Sequence, residues 1–196
     1  MKRIMDYDVI EMPVCYEDLL EESKNIGFDQ PSDVYIGTLL KTLLASKPKG
    51  NFLELGTGAS LSLSWMLAGM DSQSTLVSLD NDAQLMAIAE KYFGEDSRLQ
   101  LFCTDGAEWI KNYTGEKFDL IFADTWPGKY NTLEETLALL KPGGIYLIDD
   151  MKPQSNWPDG HAEKAKNLVD YLENREDLVI TKMDWSTGVL MATKTD

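Results

Sequence analysis

The stretch GNFLELGTGASLS, Gly50–Ser62, holds a short apolar strand, an acidic residue at its end, a glycine turn and a small-residue helix start. The backbone of such a turn can approach a ligand closely, and the amides that open the next helix offer donors at a positive dipole end. A strand–turn–helix site of this kind requires a parallel sheet behind it and further ligands at later strand ends.

The sequence downstream supplies both. Strands are expected at Phe52–Leu55, Thr75–Leu79, Leu99–Cys103, Phe118–Ala123 and Gly144–Ile148, with helices between them at Leu61–Ala68, Ala83–Phe93, Ala107–Asn112 and Leu133–Leu140. Near-continuous apolar strands alternating with helices predict an α/β fold with a doubly wound parallel sheet. After a helix at Ala162–Asn174, strands at Leu178–Met183 and Gly188–Thr193 are separated only by Asp184–Thr187. So short a link makes that pair antiparallel. Upstream, Tyr16–Lys24 and Asp33–Ser46 carry helical spacing, and Pro31, Ser32 and Asp33 supply turn and capping chemistry between them. These helices are expected to cover a sheet face, with Asp29 and Gln30 placed to line a site mouth.

Composition sets the bounds. A chain of 196 residues with 43% hydrophobic content holds one substantial core. With 33 acidic residues against 18 basic, the net charge of −15 weighs against a phosphate-tracking surface, so no nucleic-acid partner is expected. Small neutral, cationic or metal-bridged ligands suit it better. Cys15 and Cys103 lack metal-type spacing and read as reduced, packed thiols, which suits a cytoplasmic protein. Met1–Met12 has no apolar run and reads as neither leader nor anchor, and no later stretch approaches the roughly 20 apolar residues that span a bilayer.

Acids stand at the strand ends. Glu54, Asp80, Asp105 and Asp124 follow or close the first four strands, and Asp149 with Asp150 the fifth. In an open α/β sheet the ligand crevice lies at the carboxyl ends of the strands. Any one of these acids reads equally as a cap or turn residue. Five consecutive strands ending this way are harder to explain by capping alone.

From Asn51 to its end the chain resembles the class I S-adenosylmethionine-dependent methyltransferases. LELGTG is similar to their first motif, Asp80 to their ribose-binding acid, Asp105 in CTDGAEW to the acid near the adenine, and KPGGIYLIDD to the segment after their fourth strand. The resemblance implies a mostly parallel seven-stranded, Rossmann-like sheet closed by an antiparallel strand pair. It also implies S-adenosylmethionine as cofactor, held by Glu54, Gly56, Thr57, Gly58, Ser62, Asp80, Asn81, Asp105, Gly106 and Asp124. Residues 1–49 then form a helical arm packed on a cofactor-binding domain of residues 50–196, the two making one structural unit.

A narrower resemblance is to the catechol-type, metal-dependent O-methyltransferases. It implies that Asp124, Asp149 and Asp150 hold a divalent cation such as Mg2+, with waters and substrate oxygens completing an octahedron. Asp150 stands where that subgroup has asparagine, Pro127 where it has a lysine, and Ser60 where a second glycine is expected; Ser62 matches its later serine. Lys129 is the candidate general base, Asp124 shares the catalytic role, and His161 is the reserve for base or metal contact. Lys129 reads alternatively as a solvated lysine, and His161 as a cap or surface residue. Trp126 and Trp157 either wall a planar substrate or pack their loops onto the sheet.

The activity so implied is O-methylation of a small-molecule hydroxyl, catechol-like or phenolic, with metal assistance. Two alternatives stay open: a cofactor-binding module without turnover, and an NAD-dependent oxidoreductase. The second is disfavoured by Leu61 at the third fingerprint glycine and by the antiparallel ending. The acceptor depends on loops at residues 1–33, 125–132 and 151–161, and a homodimer is left open.

Overall fold

The computed structural model describes residues 11–196. What was expected of residues 1–10, within Met1–Met12 and within the first acceptor loop, lies outside the described residues. In chain order the elements are α1 (Tyr16–Asn25), α2 (Val34–Ala45), β1 (Asn51–Leu55), α3 (Leu61–Gly69), β2 (Thr75–Asp80), α4 (Ala83–Phe93), β3 (Leu99–Cys103) and α5 (Gly106–Asn112). They continue as β4 (Phe118–Ala123), α6 (Trp126–Lys129), α7 (Leu133–Ala138), β5 (Leu140–Ile148), α8 (His161–Glu173), β6 (Leu178–Met183) and β7 (Val189–Lys194). The seven strands run in the order β3-β2-β1-β4-β5-β7-β6. The mostly parallel α/β sheet with an antiparallel ending is therefore as the sequence predicts.

The chain forms two compact units, one made of the residues up to Gly50 with Thr57–Cys103, the other of Asn51–Gly56 with Thr104–Asp196. In the first unit β2 and β3 pair in parallel, Leu76 opposite Leu99 through Asp80 opposite Cys103. Its core is carried by helices: Tyr16, Leu19, Leu61, Trp65 and Ile88 form one buried cluster, with Tyr16 set edge-on to Trp65 at 5.7 Å. Asp33 caps α2 by accepting from the amides of Tyr35 and Ile36, which realises the predicted cap. β3 alternates between half-buried and exposed positions, so Phe102 and Cys103 face solvent. Both cysteines are free thiols, but Cys103 is not the packed one expected.

In the second unit β1 pairs with β4 and β4 with β5 in parallel, and β7 lies antiparallel to both β5 and β6. Phe52, Leu53, Leu55, Leu120, Ile121 and Phe122 are completely buried, which is why their strands read as unbroken apolar runs. One boundary differs from expectation by four residues, the start of β5. Leu140 does not end α7 but begins β5, opposite Phe118; the register then jumps to Leu120 opposite Ile145. Lys141–Gly144, KPGG, forms the bulge that absorbs the jump, and its turn-like residues hide a strand that starts before them. Among the described residues no helix is long and apolar enough to cross a membrane.

Candidate active site

The glycine turn belongs to the first unit from Thr57 onward. The Thr57 amide donates to the Leu79 carbonyl at 3.2 Å, and the Thr57 and Ser78 hydroxyls are bonded at 2.7 Å. The Gly58 amide donates to Asp80 Oδ2 at 3.0 Å, while the Asp82 amide donates to Asp80 Oδ1 at 3.0 Å. Asp80 is therefore a turn residue, as the capping alternative holds, yet a carboxylate has about four lone-pair sites and two remain for a ligand. Asn81 beside it is exposed and Ser62 is buried in the first turn of α3. Ser60 sits at φ 68°, in the left-handed region, and its buried hydroxyl has no partner. The backbone here has the conformation a glycine favours, at the position where one is expected. Phe28, which sequence reasoning missed, lies against Gly58: a Cβ there would be 3.2 Å from its ring.

In the second unit, Glu54 is completely buried within β1, opposite Phe122. Gly56 has φ 97°, and a Cβ on it would stand 2.9 Å from the Asp124 carbonyl, so only glycine fits. Asp105 is exposed and caps α5, accepting from the Glu108 amide at 2.8 Å, with Gly106 buried behind it.

The acids after β4 and β5 are organised by a lysine. Lys129, 5% exposed, donates from Nζ to the Asp149 carbonyl at 2.8 Å and lies 3.4 Å from Asp124 Oδ1. The solvated alternative for this residue is thus not realised. Asp149 is 2% exposed, and its Oδ1 accepts from the Thr187 hydroxyl and from the Asp150 amide, the latter at 2.7 Å. Burial, and next the nearby Asp124, push its carboxyl well above the usual 3.8. Asp150 follows in the left-handed region at φ 56°. The expected metal centre is not shown by this arrangement. Among the described residues no three His, Cys, Asp or Glu side chains are grouped to hold a metal ion, Asp124, Asp149 and Asp150 included. The physical reason is that a lysine ammonium is packed against two of these residues and an Asp149 oxygen is taken by Thr187.

The turn that delivers Lys129, expected as loop, contains α6, broken by Pro127 (ψ 132°) and Gly128 (φ 90°). A Cβ on Gly128 would lie 2.5 Å from Leu55 Cδ1, and the buried Tyr146 hydroxyl donates to the Gly128 carbonyl. Beyond Lys129, aromatic rings gather on His161. Trp157 stacks on its ring at 4.2 Å, Trp126 and Tyr130 meet it edge-on, and Tyr130 Oη is bonded to Nε2 at 3.0 Å. His161 is 9% exposed, its Nδ1 has no partner, and burial followed by Lys129 and Lys164 lowers its pKa below 6.5. It is a buried, neutral imidazole rather than a surface cap. Burial, then Asp150, raises the Tyr130 phenol to about 12. A cavity of about 480 Å³ opens beside this group, lined among others by Trp126, Lys129, Tyr130 and Lys164, whose ammonium lies 4.1 Å over the Trp126 ring.

Residues 53–151, just over half of the chain, match the sequence profile of the methyltransferase domain family. The chain belongs to that family. A provisionally named O-methyltransferase of Mycobacterium avium is 30% identical over 118 residues, covering 58% of this chain and 53% of the relative. Another, of Mycobacteroides abscessus, is 28% identical over 201 residues, covering 94% of this chain and 92% of its own. The chain thus spans about half the length of the first of these relatives and nearly all of the second. Among solved structures, the O-methyltransferase TomG from Streptomyces achromogenes, involved in tomaymycin synthesis and solved with S-adenosylmethionine, superposes with a TM-score of 0.84. It covers 96% of this chain and 93% of TomG at 17% identity, so the likeness is one of methyltransferase-domain fold.

Proposed function

We propose that the chain transfers a methyl group from S-adenosylmethionine to a hydroxyl oxygen of a small molecule. The observation that carries this reading is the turn at Thr57–Ser62: a carboxylate, Asp80, fixes the Gly58 amide while keeping lone pairs free, beside a buried Ser60 hydroxyl without a partner. A polar, diol-bearing cofactor fits such a cradle. When bound, it supplies an electrophilic methyl group on a sulfonium.

The residues divide the work as follows. Asp80 and Asn81 accept and donate to ribose hydroxyls, Asp105 and Gly106 face the adenine, and Glu54, Gly56, Thr57, Gly58, Ser62 and Asp124 hold the methionine part. His161, bonded through Nε2 to the Tyr130 hydroxyl, is the reserve base for the acceptor hydroxyl behind Lys129. Lys129 and Asp124 orient the acceptor oxygen. The aromatic cavity beside them, about 480 Å³, suits a planar phenolic or catechol-like acceptor. Residues 1–49 serve as the helical arm of the domain, and free thiols suit a reducing compartment such as the cytoplasm. Magnesium assistance, implied by the resemblance, is the part of the reading that the donor set does not fit.

A panel of phenols and catechols, incubated with S-adenosylmethionine carrying a labelled methyl group, tests the proposal. Labelled product with at least one acceptor is expected. Cofactor binding without product from any acceptor would turn the reading toward a binding module, and a thermal shift with NAD but not with S-adenosylmethionine would turn it toward an oxidoreductase.

A further inference from the structure

Lys129 is a side chain out of its usual place. A lysine held at 5% exposure loses most of its hydration, and the loss is tolerated only where anions and acceptors replace water. Here the replacements are Asp124 Oδ1 at 3.4 Å and the Asp149 carbonyl at 2.8 Å, contributed by the ends of two neighbouring strands. The loop is built to deliver it. Gly128, at a φ of 90° and packed on Leu55, reverses the chain directly before Lys129, the Tyr146 hydroxyl holds the Gly128 carbonyl, and the Gly128 amide donates to the Asn131 carbonyl at 2.9 Å. A surface lysine needs none of these fixtures.

One of these atoms, Asp124 Oδ1, is also one a divalent cation would need, and the Asp149 carboxyl that would join it belongs to the residue whose carbonyl holds the ammonium. An ion bound by Asp124 and Asp149 would meet the ammonium at close range, with like-charge repulsion in a poorly hydrated pocket. Asp149 Oδ1 is meanwhile engaged by the Thr187 hydroxyl and the Asp150 amide. We infer that the Lys129 ammonium stands in for the divalent cation, neutralising Asp124 and the end of β5, so that the chain has no divalent-cation site there. An ammonium carries three donors. Two are taken by Asp124 and Asp149, and the third is left for an acceptor oxygen. The inference rests on the proposed transfer only for that last role; the absence of a cation site is tested without turnover.

The experiment is a Mn2+ titration of the full chain, followed by electron paramagnetic resonance, on the wild type and on Lys129→Ala, Lys129→Gln and Lys129→Arg, with S-adenosylhomocysteine binding measured on the same samples. The wild type and Lys129→Arg are expected to show no Mn2+ site that depends on Asp124. Lys129→Ala and Lys129→Gln are expected to gain one, about tenfold tighter or more than any wild-type binding, and to lose it when Asp124→Asn is added. A wild-type site abolished by Asp124→Asn overturns the inference, as do folded Lys129→Ala and Lys129→Gln chains that gain nothing. Should neither variant fold, the wild type decides alone: an Asp124-dependent site overturns the inference and its absence supports it. Failure to bind S-adenosylhomocysteine would count against the proposed function and leaves the Mn2+ result standing.

Discussion

The turn at Thr57–Ser62 and the loop at Asp124–Tyr130 both rely on left-handed backbone, but they use it for opposite ends. In the turn, the Gly58 and Ser60 amides are tied to Asp80 and to the Thr57 carbonyl, and the ordering group is an ion that stays half-exposed, Asp80. In the loop, Gly128 turns a side chain inward, and the result is a buried cation packed on buried acceptors. The first arrangement spends little desolvation and leaves lone pairs open to a ligand. The second spends a great deal and is stable only while every partner is present. Substitutions should therefore act on ligand affinity in the turn and on the fold itself in the loop.

The sharpest way to break this contrast is Lys129→Met. Removing the cation takes the buried ammonium from Asp124 and the Asp149 carbonyl, and urea unfolding should show a loss of about 3 kcal/mol. A loss under about 1 kcal/mol would show that the loop behaves as an ordinary surface ion pair. Next is Gly128→Ala, where a positive φ and a Cβ 2.5 Å from Leu55 combine. It should cost about 2 kcal/mol, against about 1 kcal/mol for Gly143→Ala, whose φ is also positive but whose surroundings are open. Equal costs would remove the claim that the loop is built around Lys129.

A smaller effect is expected from pH. Burial and Asp124 hold the Asp149 carboxyl well above 3.8 in the folded chain, so the unfolded chain releases this proton first. As pH rises past about 4, the unfolded state binds fewer protons than the folded one, and this group's contribution to stability falls until the folded carboxyl has ionised too. Thermal melts from about pH 4 to 7 should fall less steeply for Asp149→Asn than for the wild type. A steeper fall in the variant would reverse the sign. Smallest is Ser60→Gly, which relieves a left-handed non-glycine residue and an unpartnered hydroxyl and should raise stability by about 0.5–1 kcal/mol.

The two regions also differ in how far they could be read in advance. The strands, the antiparallel ending, the acids at strand ends and the glycine turn follow from periodicity and from local turn chemistry, and the structure has them within a residue or two. Even Ser60 carries a signal, because it interrupts a spacing where glycine is expected. Lys129 was legible as a candidate but not as a buried one: its position depends on the φ of Gly128 and on a hydroxyl from Tyr146, 18 residues on. Thr187 had no local signal at all, since it meets Asp149 only when the link after β6 folds back across 38 residues. The extension of β5 back to Leu140 was hidden because proline and glycines that mark a turn in sequence here form a bulge within a strand.

Whether the turn serves S-adenosylmethionine is tested most directly by titrating S-adenosylhomocysteine into the wild type and into Asp80→Ala in a calorimeter. The wild type should bind with one-to-one stoichiometry, and Asp80→Ala, losing charged hydrogen bonds to the ligand, should bind about 10- to 100-fold more weakly. No binding to the wild type, or equal binding to both, would contradict the account.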